Sequence, residues 1–197
     1  MRNYTEYLKK YPWLRGNDLE DYEWPSTCAL NWLPEGWVEA FGEEMCQELD
    51  IALRKTEEYA EAYVAEAKEK FGELRMWLHP HNDEIERIVM KYAEISRHTC
   101  LYCGKIDIPM LNIGGWWSPY CRHCYDKINR DGRHKPYDDV VDGDAEMPSV
   151  IKWGRFSKGG HEDFEMDVGE TVEKIRERYG ARVANGEVDT MRKGHGE

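Results

Sequence analysis

Two C-x-x-C pairs, Cys100/Cys103 and Cys121/Cys124, are the groups in this chain best placed to do chemistry. Two thiolates three residues apart on a tight turn can share one ion, and Cys100-Leu-Tyr-Cys103-Gly-Lys has the form of a zinc knuckle, its Gly relieving crowding behind the sulfurs. The second pair, Cys121-Arg-His-Cys124, sits just ahead of a helical stretch, where free backbone N–H groups favour thiolates. The spacing predicts one structural Zn²⁺ held by Cys100, Cys103, Cys121 and Cys124. A redox dithiol pair and an iron–sulfur cluster are the rival readings. Four thiolates fill a tetrahedral zinc and leave no position for water or substrate, so the ion would brace the fold without polarising anything. His98 and His123 could each replace a thiolate, but nothing in the spacing requires it. No His lies between Cys103 and Cys121, which argues against a His-dependent nuclease grafted on this module.

Other chemistry is thinly represented. Cys28 and Cys46 read as buried small side chains, with a thiol nucleophile as the minority alternative. His79 and His81 flank a Pro and read as a strand end followed by a helix cap. His161-Glu162-Asp163 reads as an acidic cluster on a hairpin turn. No P-loop, dinucleotide fingerprint, nucleophile elbow or HExxH is present. The chain is therefore expected not to be an enzyme.

Charge points to partners. The net charge of −12 argues against wrapping a phosphate backbone with the whole surface. It gives solubility, or a phosphate-like surface for a basic partner. The segment from Ser96 to Pro136 is the exception, with seven Lys or Arg against three acids. Arg122, Lys127 and Arg130, with Trp116 and Trp117, could touch a single strand or a protein partner. Trp116, Trp117 and Tyr120 are nonetheless expected mainly as the miniature core of the finger, which has few other rings to bury.

The elements that must hold these residues follow from periodicity. Residues 1–34 form an aromatic arm, carrying Tyr4, Tyr7, Tyr11, Trp13, Tyr22, Trp24 and Trp32. An α+β core spans 35–98. In it Trp37, Phe41, Met45, Leu49 and Ala52 make a helical stripe, and two strands meet near Lys70 to Glu73, because Leu74, Met76 and Leu78 alternate with Arg75, Trp77 and His79. A helix with Asp83 and Glu86 in a capping-box-like start presents Ile85, Ile88, Val89, Tyr92 and Ile95 and leads to Cys100. The Cys₄ finger spans 99–136 as a treble-clef-like or ribbon-like module, with a short helix after Cys124 ending near Asp131-Gly132. Residues 137–148, with five acids across 138–148 and no base, read as an acidic linker or exposed loop. A hairpin and a helix, Thr171 to Tyr179 stopped at Gly180, occupy 149–182, and 183–197 is expected to be a flexible tail. The N-terminus is too charged for a signal peptide and no apolar run approaches membrane-spanning length, so a cytoplasmic location away from membranes is expected.

Three segments carry a resemblance: Lys68-Glu-Lys-Phe-Gly-Glu-Leu-Arg75, the helix 83–97 leading into Cys100-x-x-Cys103-Gly, and Gly115-Trp-Trp-Ser-Pro-Tyr-Cys121-Arg-His-Cys124. Over residues 35–126 the chain resembles small zinc-finger proteins of phages and bacterial mobile elements, mostly without an assigned function. Relatives often carry a different second pair; here it is Cys121 and Cys124. The resemblance implies the 63–79 hairpin and a mobile-element origin, and it implies no activity. Together with the acidic charge, it leads to the expectation of a non-catalytic protein that binds a host protein or protein–nucleic-acid complex, in its sharpest form an anti-CRISPR-like inhibitor. The alternative is a nucleic-acid-binding accessory protein using the basic finger with Trp116 and Trp117.

Overall fold

In a computed structural model of the protein, the described residues are 4–16, 28–157 and 160–188. The arm forms α1 (Thr5–Lys10) and a 3-10 turn, Pro12–Leu14, which lays Tyr11, Trp13 and Leu14 into the core. The indole N–H of Trp13 is satisfied by Asp50 Oδ1 at 3.1 Å, so burial leaves no orphan donor. Trp32 stays 41% exposed, and Tyr22 and Trp24 lie outside the described residues.

The helical stripe forms as its spacing dictates: α2 (Glu35–Leu53) buries Trp37, Phe41, Met45, Leu49 and Ala52. Phe41 stacks on Tyr92 with centroids 5.5 Å apart, which joins α2 to α3 (Asp83–Arg97). Between them β1 (Tyr63–Lys70) and β2 (Glu73–His79) pair antiparallel, as the alternation requires. Val64 opposite Leu78 and Ala67 opposite Met76 point inward, while Trp77 and Lys68 face out. At the start of α3 the capping group is Asn82, not Asp83: Asn82 Oδ1 accepts from the Ile85 N–H at 2.9 Å. Asp83 and Glu86 fall inside the first turn, where their charge favours the positive helix end without capping it. On α3 Ile85, Tyr92 and Ile95 are buried, and Ile88 and Val89 pack against the same core. Lys91, 6% exposed, is paired with Glu48, which also accepts from the Tyr92 hydroxyl at 2.9 Å.

The finger is built from β3 (Met110–Ile113), β4 (Trp116–Ser118) and α4 (Arg122–Ile128), with β5 (Val141–Asp142) added beside β3. Helix α4 therefore ends three residues earlier than expected. The acidic stretch is exposed along most of its length but is pinned at two points. Val140 packs in the finger with Leu111, Tyr125 and Tyr137, and Met147 enters the main core.

The last hairpin, β6 (Val150–Ser157) and β7 (Gly160–Asp167), is in the expected register, with Trp153 opposite and stacked on Phe164 at 5.5 Å. Glu162 and Asp163 are strand residues of β7, opposite Arg155 and Gly154, so they do not form a turn cluster. Helix α5 (Gly169–Ala184) runs through Gly180, where the shorter helix was expected to stop. An exposed helical Gly costs only about 1 kcal/mol relative to Ala. Arg176, Arg178 and Arg182, on both sides of it, tie the helix to Asp107, Glu44 and Glu39. The expected flexible tail, 183–197, lies mostly beyond residue 188, outside the described residues. Among the described residues no helix is long and apolar enough to cross a membrane. The architecture is α+β: helices with small antiparallel sheets around one main core.

Candidate metal centre

Helix α3 ends at Arg97, and the chain turns at once into the knuckle. The Cys100 N–H donates to the Lys105 carbonyl at 2.8 Å and the Gly104 N–H to the Cys100 carbonyl at 3.1 Å, closing the loop that carries Cys100 and Cys103. Cys121 is the N-cap residue of α4, in extended conformation, and Cys124 lies in its first turn. One ligand atom from each of the four cysteines lies within 4.8 Å of all the others. The Cys103 and Cys121 sulfurs are 3.7 Å apart. A tetrahedral ion with metal–sulfur bonds of 2.3 Å sets ligands about 3.8 Å apart, so the four sulfurs fit a single ion. Cys100, Cys121 and Cys124 are buried and Cys103 is half-buried.

Without a cation, four adjacent thiols cannot all ionise. Hydrogen bonds shared with Cys100 pull the Cys103 and Cys121 thiols below the ordinary value and push Cys124 above it, while Cys100 rises chiefly through its bond to Cys103. The Lys105 backbone N–H also donates to Cys103. A bound divalent ion replaces this sharing and holds all four as thiolates.

Support reaches the centre from two distant helices. The first turn of α2 lies directly on the knuckle: the Gly36 N–H donates to the Leu101 carbonyl at 2.9 Å and the Trp37 indole to the Thr99 carbonyl at 2.9 Å. From α5, Arg182 donates to the Cys103 carbonyl at 3.4 Å. The Tyr179 hydroxyl is raised above the ordinary phenol value by burial and by Cys103, to whose sulfur it donates. Neither Tyr179 nor Arg182 was legible as a finger residue, because 55 residues or more separate them from the second pair.

Helix α5 also holds the finger through Arg176, whose guanidinium makes two bonds to Asp107 at 2.7 and 2.8 Å. Burial alone would raise the Asp107 carboxyl; Arg176 and the Met147 N–H outweigh it and hold it below the usual value. A carboxyl lowered in the folded state contributes stability above its unfolded pKa of about 3.9 and loses it as pH falls through the folded value. Thermal unfolding followed from pH 7 to pH 3 is thus expected to show a loss below about pH 5 that is smaller in Asp107→Asn. Equal acid slopes in both proteins would remove Asp107 as a contributor.

The remaining expected site residues are placed as follows. Trp116 is 68% exposed and Trp117 39% exposed, so the expected miniature core of tryptophans does not form. Leu111, Tyr125, Tyr137 and Val140 fill that place, with Tyr125 and Tyr137 edge to face at 5.7 Å. Strand β4 has three residues and lies at the sheet edge, which leaves its indoles outside. Tyr120 is half-buried between the two small clusters. Trp116 lies 5.9 Å from the ring of Phe71 at the β1–β2 turn, and the Trp117 indole donates to Asp142 at 2.9 Å. Arg122 is engaged within the fold, paired with Asp138 and 4.4 Å over the Tyr137 ring. Lys127 lines a hollow of 440 Å³ beside Cys103 and Cys124. Arg130 is exposed and pairs with no carboxylate among the described residues. His98 contacts Glu94 at 3.6 Å, and neither His98 nor His123 belongs to the four-ligand set. Cys28 and Cys46 are buried, and burial raises both thiols, away from the thiolate form.

Fold and site together define an α+β protein with a four-cysteine cluster compatible with metal binding. Compared with protein-family models, with curated proteins and with solved structures, the chain matches none.

Proposed function

We propose that the chain is a non-catalytic protein that holds one structural Zn²⁺ at Cys100, Cys103, Cys121 and Cys124 and acts by docking on another macromolecule. The all-sulfur set and its single-ion spacing support zinc over an iron–sulfur cluster, which holds its thiolates farther apart. The observation that carries the docking reading is the aromatic ledge at the tips of two hairpins. Trp116, 68% exposed, lies against Phe71, 49% exposed, on backbone braced by the metal site. Large rings held rigidly at a surface are the residue types that anchor interfaces.

The net charge of −12 favours a basic partner. With the resemblance to mobile-element proteins, that partner is a host complex handling nucleic acid in the cytoplasm, and the role is inhibition of the anti-CRISPR type. Binding to purified RNA-guided nuclease complexes tests this. Affinity is expected to fall with added salt and to drop at least tenfold in a Phe71→Ala/Trp116→Ala variant that keeps its zinc. Absence of binding, or binding indifferent to both salt and variant, rejects the reading. Direct nucleic-acid contact is a second reading, favoured by Arg130 and Lys135 on the finger, which pair with no carboxylate among the described residues.

A further inference from the structure

A groove of 540 Å³ runs between the β3–β5 edge and the loop that follows α4. One wall is the consecutive run Arg133, His134 and Lys135; the other carries Asn112, Asp139 and Asp142. The basic wall is shaped by its own backbone. Asn129 accepts from the His134 N–H at 2.8 Å and donates to the carbonyls of His134 and Lys135 at 3.0 and 3.2 Å, which fixes the loop. The Tyr125 hydroxyl also donates to the Lys135 carbonyl, at 2.7 Å. The backbone is thus held while the charged ends stay available. Lys135 pairs with no carboxylate among the described residues, and the Arg133 side chain, 81% exposed, pairs only with Asp131 of its own loop.

An aromatic face adjoins the groove. Trp117 is opposite Asn112 in the β3–β4 ladder, and its indole N–H is bound to Asp142, so strand pairing and a hydrogen bond both set the ring beside the same wall. Cations spaced along a channel next to a fixed indole suit phosphate and base of one strand. The carboxylates of Asp139 and Asp142 oppose a bare anion, and they offer acceptors to base amino groups. A duplex presents its bases edge-on and stacked, unavailable to Trp117.

We infer that this groove binds single-stranded nucleic acid, with phosphates on Arg133 and Lys135 and a base stacked on Trp117. The inference rests on the nucleic-acid reading of the finger and is independent of the ledge at Trp116.

The test is fluorescence anisotropy of labelled single-stranded and duplex oligonucleotides with the zinc-loaded full chain. Micromolar binding of the single strand is expected at low salt. Two neutralised phosphates at a slope of about −0.7 each correspond to a roughly sevenfold loss between about 50 and 200 mM salt. Arg133→Ala/Lys135→Ala and Trp117→Phe are expected to keep full zinc content. The double variant should lose at least tenfold in affinity, while Phe keeps most of the stacking that Trp117→Ala loses, about tenfold. If the wild type binds no oligonucleotide, the nucleic-acid reading falls with the groove. If it binds but the double variant is unchanged, or if duplex or inorganic phosphate competes equally well, the groove assignment alone is overturned.

Discussion

Stripping the metal with a strong chelator, or replacing Cys121 by Ser, is expected to unfold the finger while the helical body survives. The body has its own large core, from Tyr11 through Ile175. The finger has two small clusters, one of which is chiefly the cysteines themselves with Ile108, and the other Leu111, Tyr125, Tyr137 and Val140. Four such side chains, at about 2 kcal/mol each, fall far short of ordering several tens of residues at about 1–2 kcal/mol apiece. Structural zinc contributes on the order of 10 kcal/mol in comparable modules, so on the proposed zinc reading the finger is expected to depend on the ion. Elemental analysis should give one zinc per chain. Metal removal should abolish the near-ultraviolet circular dichroism of Tyr125 and Tyr137, while most of the helical signal of α2 and α3 remains. A metal-free chain with unchanged near-ultraviolet spectrum and melting temperature would falsify the structural role.

The second large effect is expected from one methyl group. Helix propensity says that Gly36→Ala should stabilise α2 by about 1 kcal/mol. The packing says the reverse. A Cβ at Gly36 would stand 2.2 Å from the Cys100 carbonyl oxygen, 2.7 Å from the Gly104 nitrogen and 2.8 Å from the Leu101 carbonyl carbon. All three are backbone atoms of the loop that carries Cys100 and Cys103, which its own hydrogen bonds, Cys100 N–H to the Lys105 carbonyl and Gly104 N–H to the Cys100 carbonyl, already hold closed. The clash outweighs propensity, and the variant is expected to lose about 3 kcal/mol or more in denaturant unfolding, together with zinc affinity in competition with a chelator. Gly180→Ala is the contrast: nothing lies within 4 Å of its Cβ, and α5 should gain up to about 1 kcal/mol. A neutral Gly36→Ala would mean that α2 does not press on the knuckle.

Features governed by local chemistry were legible in the sequence. The ligand spacing, the stripes of α2 and α3, and the alternation in β1 and β2 each follow from a period or a tight turn, and each is present. What was illegible depends on which surface arrives from elsewhere in the chain. Trp116 and Trp117 looked like the rings the finger would bury, but Tyr137 and Val140, from the stretch read as a linker, took that place. Gly180 looked like a stop signal; a single Gly is outweighed when flanking arginines find carboxylates on two other segments. Asn82 lost to Asp83 as the expected cap because both are good capping residues and one residue of register separates them.

The way α5 is anchored has a consequence for how the protein is made. Helix α2 and the knuckle can meet as soon as Cys124 has left the ribosome, but the contacts of Arg176, Arg178, Tyr179 and Arg182 arrive about sixty residues later, a delay of roughly 3–12 seconds at ordinary synthesis rates. During that interval Cys103 has the Lys105 backbone N–H but not its tyrosine, and all four cysteines of the cluster are already made. On the proposed zinc reading, loading is open to the nascent chain, and the closing of α5 over Cys103 comes last, as a latch.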